Sequence, residues 1–161
     1  MAKEKLKIAF YWAASCGGCE IAVLDVNEKI LDVVAAADIV FWPVAIDIKY
    51  KDVEAMPDKS IDACFFNGAI RTSENEKMAN LLRQKSKILV AFGSCACDGC
   101  VKGLANLWDR ETVFERAYLE TPSTENPESV TPKTRVKVKE GELELPEFYD
   151  TVKTLPQPVD V

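Results

Sequence analysis

From Leu6 to about Leu119, apolar runs of strand length alternate with stretches of helical periodicity. Residues 5–12, with Leu6, Ile8, Ala9, Phe10, Tyr11 and Trp12, read as a buried parallel strand. From about Glu20 the spacing becomes helical. Ile21, Leu24, Leu31 and Val34 recur on one face, and Val23, Val26 and Ile30 widen it. Asp38–Trp42 is a short second strand closed by Pro43, and Ile61–Phe66 is a third that ends in a turn at Asn67-Gly68. Ser73 with Glu76 three residues on is a capping-box signature. It opens a helix through about Gln84 whose apolar face is Met78, Leu81 and Leu82. Lys87–Phe92 is a fourth strand, and residues 109–119 read as an amphipathic helix on Val113, Phe114, Ala117 and Leu119. Residues 44–58 fit an edge strand or a loop, because Ile46 and Ile48 alternate with charges.

This alternation predicts an α/β fold with an open parallel sheet and flanking helices. Beyond Thr121 the pattern changes. Six of the eight prolines lie between Pro122 and Pro158, and no helical period persists there. Within that segment Arg135–Lys139 and Glu142–Leu145 alternate, so Val136, Val138, Leu143 and Leu145 share one face of a small hairpin across Glu140-Gly141. Pro158–Val161 looks like the start of another strand. The expectation is one domain over residues 1–161, with 120–158 an irregular, proline-rich extension.

Composition narrows the chemistry more than the fold. The chain has 161 residues, 48% of them apolar, enough for one core. A net charge of −6 argues against nucleic acid or an anionic membrane as partner. No apolar run is long enough to span a bilayer and no targeting signal is visible, so a soluble, cytoplasmic protein is expected. Six cysteines and no histidine change the picture. Secreted disulfide scaffolds are small and loop-rich, unlike this pattern, so reduced thiols read as metal ligands or redox groups. The lack of imidazole removes Ser-His-Asp, Cys-His and His-ligated metal chemistry.

The thiols fall in two groups. Cys16-Gly17-Gly18-Cys19 follows the first strand, and Cys95-Ala96-Cys97-Asp98-Gly99-Cys100 follows the fourth. Ligands of open α/β sheets bind outside the carboxyl ends of the strands. Cys16, Cys19, Asn67-Gly68 and Cys95 would therefore meet on one edge. Several chemistries remain open there. Cys16 and Cys19 could be small core residues, or a thioredoxin-like dithiol with a thiol pKa lowered at a helix start. Cys16, Cys19, Cys97 and Cys100 form the pairing of a structural zinc module, across a far longer loop than is usual. An iron–sulfur cluster on Cys16, Cys19, Cys95 and one more thiolate, stabilised by helix N-termini and turn amides, is favoured over zinc by the spacing. Cys97 and Cys100 could each be the fourth ligand, a neighbouring thiol or filler. Cys64, within a strand, belongs to the core. Glu20 either carries protons or only begins its helix. Trp12, Trp42 and Trp108 are explained by packing. No glycine-rich phosphate loop is present.

Three motifs carry a resemblance: Ala14-Ser15-Cys16-Gly17-Gly18-Cys19-Glu20, Phe66-Asn67-Gly68-Ala69-Ile70-Arg71 and Ala91-Phe92-Gly93-Ser94-Cys95-Ala96, with Gly103-Leu104-Ala105-Asn106-Leu107 also fitting. The chain resembles the small, electron-transfer subunit of nickel–iron hydrogenases, related to the 20-kDa-type subunit of complex I. It looks most similar to the cytoplasmic, methyl-viologen-reducing group of methanogens and other anaerobes, which works with heterodisulfide reductase. The resemblance implies a flavodoxin-like domain whose Cys16, Cys19 and Cys95 bind the proximal [4Fe–4S] cluster, with Glu20 a proton-path candidate. The implied partners are a nickel–iron large subunit, which alone splits hydrogen, a further electron-transfer subunit and heterodisulfide reductase. The family's fourth ligand lies in a Gly-Cys-Pro-Pro motif just past a strand beginning near Val159-Asp160-Val161. The expectation is therefore a fragment that lacks the C-terminal cluster-binding region, with Cys97 or Cys100 the fallback ligand.

Overall fold

A computed structural model describes residues 5–161. In chain order the elements are β1 (Leu6–Trp12), α1 (Gly18–Leu24), α2 (Ile30–Ala36), β2 (Ala37–Phe41), α3 (Tyr50–Ala55), β3 (Ile61–Asn67), β4 (Ile70–Thr72), α4 (Ser73–Lys85) and β5 (Ser86–Phe92). Then follow α5 (Ser94–Asp98), α6 (Cys100–Gly103), α7 (Arg110–Glu115), β6 (Arg135–Val138), β7 (Gly141–Glu144) and β8 (Phe148–Lys153).

Four of the strands pair in the order β2-β1-β3-β5, all parallel. This is a flavodoxin-like order, with flanking helices, and the winding reverses between β1 and β3. The crevice at that reversal is where such sheets hold ligands, and the loops after β1 and β3 flank it. The alternation of side chains along each strand supplies two different faces. Ala9 and Tyr11 of β1, with Phe41, Cys64 and Phe66, pack under Val53 of α3 and Met78 and Leu82 of α4, forming the main core. The opposite face is aromatic. Phe10 stacks on Phe65 at 5.1 Å between ring centroids and lies 4.5 Å from Trp42, and Phe92 meets Phe65 edge-on.

The four predicted strands form where expected, and so does the hairpin, in which Val136 pairs with Leu143 across β6 and β7. Elsewhere the structure corrects the reading. The long helix after Glu20 is broken: α1 and α2 are separated by a tight turn in which Asn27 takes a left-handed φ of 54°. Asparagine tolerates that conformation, and its amide donates to the Asp25 carbonyl at 3.0 Å. The apolar face shared by α1 and α2 stays exposed at Ile21, Leu24, Leu31 and Val34. Residues 50–55 of the ambiguous stretch are the helix α3, started by Asp52, whose carboxylate accepts from the Lys49 N–H at 2.8 Å.

The cap of α4 also lies one residue earlier than the Ser73/Glu76 signature suggests. The Thr72 hydroxyl accepts from the Asn75 N–H, and the Asn75 side chain accepts from the Thr72 N–H in return. Ser73 and Glu76 are thereby released to tie down the C-terminal segment. The Ser73 hydroxyl accepts from the Glu147 N–H at 2.9 Å, and Glu76 accepts from the Tyr149 hydroxyl and Lys153. This holds β8 antiparallel to β4, a pairing that the proline-rich composition hides. Residues 109–119 start as a helix capped by Asp109 and end in a wider π-helical turn over Arg116–Glu120. Pro158–Val161 is irregular, not a strand, and buries Val159 in the core. Among the described residues no helix is long and apolar enough to cross a membrane.

Candidate metal centre

The carboxyl ends of β1, β3 and β5 lie side by side, with Trp12 in register with Asn67 and Asn67 with Phe92. Backbone hydrogen bonds stitch the first two loops together. The Ala13 N–H donates to the Asn67 carbonyl at 2.7 Å, and Ala14 and Ala69 exchange a pair of bonds at 2.9 and 3.1 Å. The chain then turns sharply through Gly17, whose φ of 80° is left-handed and whose Cα lies against the Trp12 ring. A Cβ there would sit 2.4 Å from an indole carbon. The Ser15 hydroxyl accepts from the Gly17 N–H at 2.9 Å and fixes the turn that presents Cys16 and Cys19.

After β5 the corresponding turn is Gly93, with φ 86° and ψ 165°. It meets the first loop directly: a Cβ on Gly93 would lie 2.3 Å from the Cys19 sulfur. Glycine is required there by conformation and by space alike. Two residues on, Cys95 is almost buried. Burial raises its thiol pKa, the nearby Cys100 thiol raises it further, and the Cys16 N–H acts in the opposite sense. Cys100 itself takes an unusual φ of 41°, and the Ser94 hydroxyl and Val101 N–H lower its pKa.

The structure therefore sets Cys16 and Cys100 beside Cys95, and Cys19 against Gly93, the four thiols coming from two loops. It separates Cys97, whose thiol turns back to donate to the Ala91 carbonyl at 3.3 Å, and Cys64, which is sealed in the core with its thiol pushed up to about 12 by burial. A Cys16/Cys19/Cys97/Cys100 zinc set is not assembled. Zinc sits about 2.3 Å from each sulfur and needs its ligands nearly touching. Among the described residues no three Cys, Asp, Glu or His side chains form a group that could hold a single metal ion, Cys16, Cys19 and Cys95 included. The helices opening the site, α1 and α5, have seven and five residues. Turn amides such as the Cys16 N–H, not long helix dipoles, face the sulfurs.

Beside the thiols lie polar groups that sequence reasoning weighed lightly. Glu20 is 1% exposed. One of its oxygens accepts from the Trp42 indole N–H at 2.9 Å, and the other has no partner among the described residues. Burial raises its pKa, with the indole bond acting in the opposite sense. Asn67, also 1% exposed, has a side-chain amide nitrogen with no partner among the described residues. Sequence offered one signal for it, its place at the end of the strand beside the winding reversal. An all-thiol donor set, a glycine that makes room for the Cys19 sulfur and a buried donor awaiting an acceptor fit an iron–sulfur cluster.

Comparison with known proteins gives the same direction. Residues 16–146 match the family described as NADH ubiquinone oxidoreductase, 20 Kd subunit. The chain is similar to an iron-sulfur subunit of the F420-non-reducing hydrogenase of Archaeoglobus profundus, with 48% identity over 97% of this chain and 49% of that protein. It is similar also to a subunit of the F420-non-reducing hydrogenase of Methanothermobacter thermautotrophicus, with 39% identity over 87% of this chain and 44% of that protein. It thus spans about half the length of the curated relatives it matches. Its fold is that of a chain in the crystal structure of an NAD+-reducing [NiFe]-hydrogenase in the H2-reduced state, with TM-score 0.81, 23% identity and coverage of 98% and 79% of the two chains.

Proposed function

Because this chain belongs to the family of the 20 kDa subunit of NADH ubiquinone oxidoreductase, we propose that it is the electron-transfer subunit of a nickel–iron hydrogenase complex. In this reading Cys16, Cys19 and Cys95 hold a proximal [4Fe–4S] cluster, and the Cys100 thiol lies beside Cys95. When bound, that cluster supplies one-electron chemistry. The chain thereby links a nickel–iron large subunit to a further electron-transfer subunit and to heterodisulfide reductase or a similar acceptor. It has no catalytic residue of its own. Glu20, a buried carboxyl next to Cys19 with one free oxygen, is its proton-path candidate. The reading places the complex in the cytoplasm, since reduced thiols suit a reducing compartment.

The observation that carries this reading is the meeting of the Cys16–Cys19 loop with Gly93 and Cys95 at the sheet edge. The exposure of large apolar side chains around it supports a role inside an assembly. Leu104, Leu107 and Trp108 are 59%, 70% and 57% exposed just beyond the second cysteine loop. Large apolar side chains exposed so close together in sequence suit a partner better than water.

Anaerobically purified complex tests the reading through iron, acid-labile sulfide and hydrogen-dependent viologen reduction. Wild type and Cys97→Ser are expected to carry the same iron and sulfide, whereas Cys95→Ser loses or converts one cluster. Stoichiometric zinc without sulfide, or full cluster content in Cys95→Ser, would overturn it.

A further inference from the structure

Asn67 keeps a buried side-chain donor that has no hydrogen-bond partner among the described residues. It ends β3, between Trp12 of β1 and Phe92 of β5 in register, and residues paired in register share a face of the sheet. On that face the Trp12 ring reaches up to Gly17, and the residue after Phe92 touches the Cys19 sulfur. The Asn67 side chain is thus bracketed by the two points at which the cysteine loops come down onto the sheet. Its flanking side chains are aromatic and offer no strong acceptor. Among the described residues its nitrogen is buried and unpartnered, which is unfavourable unless an acceptor is supplied. A leucine, with the same number of side-chain heavy atoms and the same branch point, would take the position without burying an unpaired donor.

We infer that Asn67 donates a hydrogen bond to a sulfur of the bound iron–sulfur cluster and so sets its reduction potential. The inference rests on the proposed cluster at Cys16, Cys19 and Cys95. The added electron of the reduced state concentrates negative charge on the sulfurs, so a donor stabilises that state more than the oxidised one and raises the potential. Asn67 is a positioning and tuning residue, not a ligand. The competing acceptor on this face is the free oxygen of Glu20. If Asn67 turned to it, the cluster would not feel the substitution.

The test is a redox titration of the native complex, following the EPR signal that Cys95→Ser abolishes, in wild type, Asn67→Leu and Asn67→Asp. Iron and sulfide are measured in each. Both variants are expected to keep wild-type iron and sulfide. Asn67→Leu moves the midpoint negative by about a tenfold change in the reduced-to-oxidised ratio, about 59 mV for one electron. Asn67→Asp, which adds a carboxylate in the same volume, moves it further. It decides the matter if the leucine variant does not assemble. Unchanged midpoints overturn the inference, as does loss of the cluster from both variants in folded complex, because a tuning donor does not hold iron. Wild-type complex lacking iron and sulfide instead overturns the cluster proposal, so the two failures are distinct.

Discussion

Alanine at Gly93 tests whether the meeting of the two cysteine loops is what builds the site. Gly93 has φ 86° and ψ 165°, a region that side-chain-bearing residues enter at about 1–3 kcal/mol. Its new Cβ would also stand 2.3 Å from the Cys19 sulfur, whereas ordinary contact begins at 3.4 Å. The sulfur or the loop must retreat by about 1 Å, twice the ~0.5 Å within which a ligand constellation has to be held. Gly93→Ala is therefore expected to lower stability by about 2 kcal/mol, a fall in Tm of about 4–8 °C for a chain of this size. It should also strip the cluster. Gly141→Ala is the control. Its φ of 145° is unfavourable too, but no atom lies within 4 Å of its Cβ. It should lose stability and keep its iron. Thermal unfolding with iron and sulfide analysis on the same preparations decides between them. Gly93→Ala with full cluster content, or equal cluster loss in Gly141→Ala, would refute the argument.

Two further outcomes follow from pairs seen in the structure. Trp42→Phe deprives buried Glu20 of its one partner and is expected to cost about 1–3 kcal/mol in urea unfolding. Adding Glu20→Leu should restore part of that loss, and a double variant no more stable than the single one would contradict the pairing. Glu76, held below its ordinary pKa of 4.5 first by the Tyr149 hydroxyl and then by Lys153, stabilises the fold in its charged form. A depressed carboxyl contributes fully above its unfolded pKa and loses that contribution as pH falls through its folded one. The stability gap between wild type and Glu76→Gln should be constant from pH 7 to about 5.5 and close progressively below about 4.5. A gap that persists unchanged into strong acid would refute it.

Legibility in the sequence followed the range of the interaction. The strands Leu6–Trp12 and Ser86–Phe92 carry the apolar runs Ile8–Trp12 and Ile88–Phe92, and such runs declare themselves within a few residues. The break at Asn27 lay under an apolar period that continues across it, so periodicity alone drew one helix. The cap of α4 is ambiguous in sequence because both Thr72 and Ser73 can cap, and Glu147 and Tyr149, more than 70 residues away, decide between them. The strand β8 was missed for the same reason, since its partner β4 has three residues and no pattern of its own.

The site divides along the same line. By itself the sequence removed imidazole chemistry, since there is no histidine, and set the two cysteine groups after strands of one parallel sheet. These facts depend on residue type and on order along the chain. Tertiary structure alone decided which thiols meet. Cys97 and Cys100 are equivalent by composition, yet one turns to the Ala91 carbonyl and the other to Cys95. It also decided that Glu20 answers Trp42, that Gly93 makes room for the Cys19 sulfur and that Asn67 keeps a free donor. Such choices hang on single torsions and on contacts between residues tens of positions apart. Local propensity does not encode them, and packing of the sheet edge does.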